Sequence, residues 1–198
     1  MRKLILKMSV SFDGFVAGPK GEGDWMFRYS SPDSKAWSAR VASEAGLHIM
    51  GSSTFVTMAG YWPSSTDAYF ASTMNEIPKL VFSRSGKTRA LEDALRAVPQ
   101  TKAGASWAQA RIATGDLREE IERLKSESGK PIVAHGGASF ARSLVASGLI
   151  DEYQFAVHPI ALGQGQPLFT ELLKPLSLQV AETTTFASGM MARILRPA

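Results

Sequence analysis

The chain has 198 residues, 44% of them hydrophobic and 20% charged, the proportions of one ordinary soluble domain long enough to bury a substantial core. With no cysteine, it excludes disulfides, thiolate metal sites and a cysteine nucleophile. A net charge of +4 and a pI near 9.4 are compatible with an anionic ligand. The basic residues are nevertheless scattered among acidic ones, as in LREEIERLK, and form no stripe suited to nucleic acid.

At the N-terminus, Leu4, Leu6, Met8 and Val10 alternate with Lys3, Lys7 and Ser9, the period of a strand with one buried face. The basic head of MRKLILKMSVSFDG could open a signal peptide, but Lys7 and Asp13 break the apolar run too early. No stretch approaches membrane-spanning length, so a cytoplasmic protein without a membrane partner is expected. DGFVAGPKGEGD, from Asp13 to Asp24, is rich in glycine and is expected to be a mobile loop of the kind that often carries function, closed by Trp25 and Phe27. Ser31 and Pro32 signal a helix start, with Trp37, Val41 and Ala45 along one face up to Gly46. A short strand, Leu47 to Met50, then enters Gly51, Ser52, Ser53 and Thr54.

KLVFS, residues 79–83, reads as another strand, ending in the polar turn Ser83, Arg84, Ser85, Gly86. Asp116 and Glu119 resemble a capping box for an amphipathic helix carrying Leu117, Ile121 and Leu124, with Glu119 and Arg123 as an ion pair. Ile132 to Ala134 form a buried strand that meets Gly136 and Gly137 and turns into a helix with Phe140, Leu144 and Val145 on one face, stopping at Gly148. Free amides and a positive dipole end at such a corner suit a phosphate or pyrophosphate. A tight turn that needs glycine only for its backbone angles explains this segment equally well. Tyr153, Phe155 and Val157 alternate as a strand, and Leu176 to Thr185 with Met190 to Leu195 read as a closing hairpin around Ser188 and Gly189.

Strands alternating with helices imply a largely parallel α/β sheet, with antiparallel strands added at one edge by the late hairpin. Three strands end in glycine or small polar turns: Gly51 to Thr54, Ser83 to Gly86, and Gly136 to Ser139. In an open α/β sheet such ends share one rim, where ligands bind, and three convergent turns favour a phosphate-bearing ligand over three coincidences.

Other chemistries fit less well. GASFA approximates a nucleophile elbow at Ser139, but its downstream partners Asp151 and His158 bracket one strand and would stand roughly 20 Å apart. His48, His135 and His158 lack helical ligand spacing, so no metal site is expected. His135 abuts the glycine pair, where it could touch a cofactor or serve as a plain strand-end side chain. Gly86, Lys87 and Thr88 imitate the end of a P-loop, yet Val81 stands where its first glycine is required. The four tryptophans suit core or pocket walls better than a base-stacking platform.

SVSFDGFVAG, IMGSSTF before AGYWP, LVFSRS, DLREEIERLK and above all IVAHGGASFARSLVASGLIDEYQFAVHPIALGQGQPLF together resemble the reductase-domain family of riboflavin synthesis, over nearly the whole chain. That family includes 5-amino-6-(5-phosphoribosylamino)uracil reductase and shares the dihydrofolate reductase fold. The resemblance implies one domain over residues 1–198, a three-layer α/β fold with a mixed, mostly parallel sheet of eight to nine strands, helices on both faces and an antiparallel C-terminal hairpin. It also implies NADPH-dependent reduction, with NADH as the lesser possibility, of a small polar heterocycle or a carbonyl or imine compound. The glycine pair Gly136 and Gly137 matches the cofactor's diphosphate turn, with Ala138, Ser139 and Phe140 opening the helix beneath it. Gly51, Ser52, Ser53 and Thr54 match a second cofactor turn, in which the family usually has a basic residue after the glycine. Ser52 departs from that pattern, and Arg84 beside Ser83 could supply the missing charge.

Ser9, Val16 and Ala17 fall where the fold seats the nicotinamide ring, with Asp13 at the mouth of the loop. Asp13 and Asp33 are the carboxylates available for acid chemistry, and Asp24 and Trp25 are substrate-side residues by position, although Asp33 equally suits a helix start and Asp13 a turn. A homodimer is implied, with Tyr153 to Pro159 and LGQGQPLF at its interface or packed within the subunit. No deaminase region precedes the reductase-like part, so the two-step riboflavin activity is not expected of this chain alone. The alternative function is a cofactor-binding or ligand-sensing protein of the same fold without turnover.

Overall fold

Residues 1–86, 88–113 and 115–198 are described in the computed structural model. Lys87, the middle residue of the P-loop imitation, lies outside them. Strands β1 (Leu4–Ser11) and β2 (Phe15–Ala17) precede helix α1 (Pro32–Ser43), then β3 (Leu47–Gly51), α2 (Ser52–Tyr61), α3 (Ala71–Glu76) and β4 (Lys79–Phe82). Next come α4 (Arg89–Ala97), α5 (Ala105–Ala108), β5 (Arg111–Ala113), α6 (Leu117–Ser126), β6 (Ile132–Ala134) and α7 (Ala138–Ser147). The chain closes with β7 (Glu152–His158), β8 (Gln166–Pro167), β9 (Leu178–Thr185) and β10 (Met191–Pro197).

Eight strands form one sheet in the order β5-β4-β3-β6-β1-β7-β10-β9, and β2 pairs separately with β8. The first six run parallel; β10 returns antiparallel to β7, and β9 antiparallel to β10. Crossover helices cover both faces, as parallel pairing requires. Leu4, Leu6, Leu47, Ile49, Ile132 and Ala134 pack on one side against α6 and α7 through Ile121, Leu124, Ala141, Leu144 and Val145. On the other side Met50 and Val81 lie under Phe55, Ala59, Met74 and Leu91, Ile5 and Val133 under Ala45, and Ala156 and Ala192 under Trp37 and Val41.

Several local expectations are corrected by this packing. β1 is central, so Ile5 is as buried as Leu4 and Leu6, and the strand is not one-sided. The Asp13–Asp24 segment is not a free loop: β2 pairs with β8, the Gly18 amide donates to the Glu22 carbonyl, and a 3₁₀ turn follows at Asp24–Phe27. Arg123 pairs with Glu120 and Glu127, three and four residues away on its own helix face, and not with Glu119. Asp116 does cap α6, accepting the Arg118 and Glu119 amides. Of the two expectations for Tyr153 to Pro159, the strand packs within the subunit: β7 lies between β1 and β10 with Tyr153 and Phe155 buried.

Candidate functional site

Parallel neighbours β4, β3 and β6 deliver the three polar turns to one rim. There the turns interlock. The Gly51 amide donates to the Gly136 carbonyl at 3.1 Å, the Gly137 amide to Thr54 Oγ1 at 2.7 Å, and Arg84 Nη2 to Ser139 Oγ at 3.2 Å. Phe82 stacks on Phe140 with ring centroids 5.0 Å apart. Glycine is required here by close approach as well as by backbone angle. A Cβ on Gly51 would stand 3.0 Å from Phe140 Cβ, and one on Gly136, whose φ is +82°, would stand 2.6 Å from Met8 Sδ.

Among the helices of nine or more residues, capping separates this rim from the rest of the molecule. α1 ties its first turn with Ser31, Asp33 and Ser34, α4 with Thr88, and α6 with Asp116, and each carries an acidic residue in that turn. α2 and α7 start directly after Gly51 and Gly137, with neither a side-chain cap nor an acidic residue. Their bare amides and positive dipole ends adjoin at neighbouring strand ends, an arrangement that attracts anions. A dinucleotide diphosphate fits this pair of helix ends. Ser52 contributes no charge, whereas the exposed Arg84 guanidinium stands beside α7 and can meet a phosphate.

Beyond the rim, β6 stops at Ala134 while β1 runs on to Ser11, so the two strands part after the pair Leu6 and Ala134. On the α1 face at this gap lies a polar row. Lys7 pairs with Gln154 across β1 and β7, and His135 follows Ala134 on the other side of Lys7. His48 joins them, its ring 4.4 Å from that of His135. Farther along the same face come Ser9, then Ser11 beside His158, whose ring meets the Trp25 edge at 5.4 Å. Six buried polar atoms lack a protein partner among the described residues, on Trp37, His48, His135, Gln154 and His158, both ring nitrogens of the last included. All five side chains face this side of the sheet. Unpartnered buried polar atoms cost about 1–3 kcal/mol each, so their concentration in one layer points to a site and not to random imperfection.

Desolvation pulls the Lys7 ammonium down to about 8. Burial likewise pulls His48 and His158 to about 4 and His135 well below its usual value, so all three imidazoles are neutral near pH 7. His48 Nε2 lies 3.0 Å from the Ala42 carbonyl, which requires the proton on Nε2 and leaves Nδ1 as an acceptor.

The remaining residues expected from the sequence are distributed as follows. Asp13 accepts from the Ser11 hydroxyl at 2.6 Å and from the Leu162 and Gly163 amides at 3.1 and 2.7 Å. Desolvation pushes its carboxyl up, but these hydrogen bonds together hold it below the usual range. Asp33, held low chiefly by Ser31, also accepts from the Ala187 amide and joins α1 to the hairpin loop. Both carboxylates therefore stabilise loops in ionised form. Val16 is a core residue, and the Ala17 carbonyl lies where a Cβ on Gly165 would collide. Trp25 is buried with Nε1 donating to the Glu22 carbonyl, while Asp24 is exposed opposite Arg28. Ser53 accepts from Thr57 through its carbonyl, and the Ser83 carbonyl closes its turn on Gly86. Lys7 and Gln154 carry no sequence-based expectation of function. The visible signal for Lys7 was a lysine inside an apolar strand; Gln154 had none.

Comparison with known proteins shows the family and the fold. The profile of the RibD C-terminal domain matches residues 2–192. The uncharacterized protein YyaP of Bacillus subtilis (strain 168) is 30% identical over 190 residues, covering 96% of this chain and 92% of its own. A putative riboflavin biosynthesis protein from Shewanella sp. PV-4 superposes with TM-score 0.74 at 21% identity, over 99% of both chains. Enterococcus faecalis dihydrofolate reductase complexed with NADP(H) and RAB-propyl shares the fold at TM-score 0.59 and 12% identity, over 98% of this chain and 96% of its own.

Proposed function

The chain belongs to the RibD C-terminal domain family, and on that premise we propose that it is a reductase using NADPH, with NADH second, to reduce a small polar heterocycle or a carbonyl or imine compound. The observation that supports this most is the pair of uncapped, acid-free helix starts at adjoining strand ends. Ser52 to Thr54 and Ala138 to Phe140 would hold the diphosphate by main-chain amides, with Gly51, Gly136 and Gly137 leaving room for its approach, Ser83 and Arg84 would hold the adenosine end, and Ser9 would form the wall of the gap beside β1. When bound, the reduced nicotinamide supplies the hydride.

The Lys7 face then takes the substrate. Lys7 donates an N–H to the substrate heteroatom that gains electron density, and with a pKa of about 8 it can also release a proton near neutral pH. Trp25 and His158 close the far end of the same face. Asp13 and Asp33 hold the surrounding loops, a positioning role in place of acid catalysis. A homodimer remains part of this proposal, and the strands left for a second copy are β5 and β9 at the two sheet edges. A monomer mass in sedimentation would remove that part.

The test is a thermal shift with each cofactor, because a ligand bound only by the folded state raises the melting temperature. NADPH is expected to shift it more than NADH. The absence of any shift at millimolar concentration of either would overturn the reading. Where cofactor binds, loss of its reduced-form absorbance against pyrimidine, pterin and carbonyl compounds separates an enzyme from a sensor.

A further inference from the structure

At the start of β4, the end of the strand away from the rim, a cavity of about 430 Å³ opens between α3, α5 and the start of β5. Lys79 lines it and is 2% exposed. Its Nζ donates to the Ile77 carbonyl at 2.5 Å and to Ser106 Oγ at 2.6 Å, and lies 4.5 Å from the centroid of the Trp107 ring. The Ser106 hydroxyl in turn donates to the Asn75 carbonyl at 2.6 Å, and Trp107 Nε1 to Asn75 Oδ1 at 2.8 Å. Neutral groups alone hold the ammonium, which orients it and leaves its charge uncompensated.

Lys102, Gln109 and Arg111 line the same cavity from its solvent side, all three exposed. Among the described residues, none of the cations Lys79, Lys102 and Arg111 forms an ion pair. Glu76, the acidic residue of the lining, is engaged on its own helix by the Ser72 hydroxyl at 2.8 Å. Positive charge therefore outweighs negative charge here, and the cavity attracts anions. Pro78 and Ala105 add an apolar wall, which suits an anion built on a short hydrocarbon spacer better than a bare phosphate.

We propose that this cavity binds a small dicarboxylate, independently of the cofactor. Arg111 takes one carboxylate through its forked guanidinium and Lys102 takes the other, while the Ser106 hydroxyl and the Gln109 amide add hydrogen bonds and Lys79 supplies buried positive charge. Burial alone pulls the Lys79 ammonium down to about 7. The charged and titratable groups around it are Glu76 on α3, Lys102, Arg111 on β5 and its register partner His48 on β3, which burial keeps neutral. His135 and Lys7 follow on the same face. A bound dianion raises the Lys79 value again, so above neutral pH the ligand enters together with a proton, and its affinity falls as the pH rises.

Malonate is the probe and malonamide its uncharged counterpart, with NADPH present to fill the rim. Isothermal titration is expected to show malonate bound about tenfold more weakly at pH 8.5 than at pH 6.5, with proton uptake at the higher pH and no binding of malonamide. Lys102→Gln and Arg111→Gln, both at exposed positions, should each weaken malonate at least about tenfold and leave the NADPH-induced melting shift unchanged. Lys79→Met should remove the pH dependence; if that variant fails to fold, the proton uptake of the wild-type protein makes the same test. Malonate binding that is absent at millimolar concentration, no tighter than that of malonamide, indifferent to both surface substitutions or independent of pH would overturn the proposal. A pH dependence that survives in Lys79→Met would do the same.

Discussion

A lysine in the middle of a central strand loses hydration that a surface lysine keeps, and without a carboxylate partner among the described residues nothing offsets the loss. Lys7 is such a residue, in register with Gln154 and next to His135. Lys7→Met retains the length of the side chain and removes the charge. It should leave the melting temperature equal or higher, leave NADPH binding intact, and lower turnover about 10²- to 10⁴-fold on any substrate found, the usual range for a lost general acid. Turnover unchanged in steady-state assays would remove Lys7 from the chemistry. Arg84 makes a second residue-scale prediction. Arg84→Ala should weaken NADPH more than NADH, because the guanidinium is assigned to the extra phosphate, and equal losses in titration would rule that role out.

At the scale of elements, the starts of α2 and α7 separate ligand binding from stability. Ser139 is exposed in the first turn of α7 and within reach of Arg84. Ser139→Asp places a carboxylate at the positive dipole end, which should stabilise the helix by about 0.3–1 kcal/mol. If that end holds a diphosphate, the same change should weaken NADPH at least about tenfold by charge repulsion, since 1.4 kcal/mol corresponds to a factor of ten. A variant that melts higher and binds equally well would show the helix start to be idle. Gly137 behaves differently. A Cβ there would lie 2.8 Å from Thr54 Oγ1, the group that accepts the Gly137 amide. Gly137→Val should therefore cost stability as well as cofactor affinity, by displacing the hydroxyl that links the α2 and α7 turns.

For the whole molecule, the desolvated cations and imidazoles act on stability in one direction. His48 and His158 are pulled to about 4, so between pH 6.5 and 4 the unfolded chain binds more protons and stability falls as the solution is acidified. Lys7 at about 8 and Lys79 at about 7 lie below their unfolded value of 10.5, so over that interval stability rises with pH. Tyr153, raised to about 12 by burial, opposes further gain above pH 10. The melting temperature should climb from pH 5 and peak on the alkaline side, at about pH 9 to 10. A maximum near neutrality in a calorimetric pH series would contradict these burials.

Much of the architecture was legible in the chain. Apolar periodicity placed β1, β3, β4, β6 and β7, and the glycine turns marked the rim, because strand period and turn chemistry are local properties. Charge pairing on α6 was misread at Glu119, since two competing partners satisfy the same spacing rule. The Asp13–Asp24 segment looked free because its partner β8 lies about 150 residues away in sequence.

The sequence by itself determined the alternation of strands and helices, the three polar turns and the family resemblance, all of which depend on short-range pattern or on linear order. Only the tertiary structure decided that β4, β3 and β6 are neighbours, that α2 and α7 alone among the long helices lack caps and first-turn acids, and that Lys7, Gln154, His135 and His48 share one face. The physical reason is that register across a sheet, and the water it excludes, are set by contacts between segments more than 80 residues apart, which no local pattern encodes.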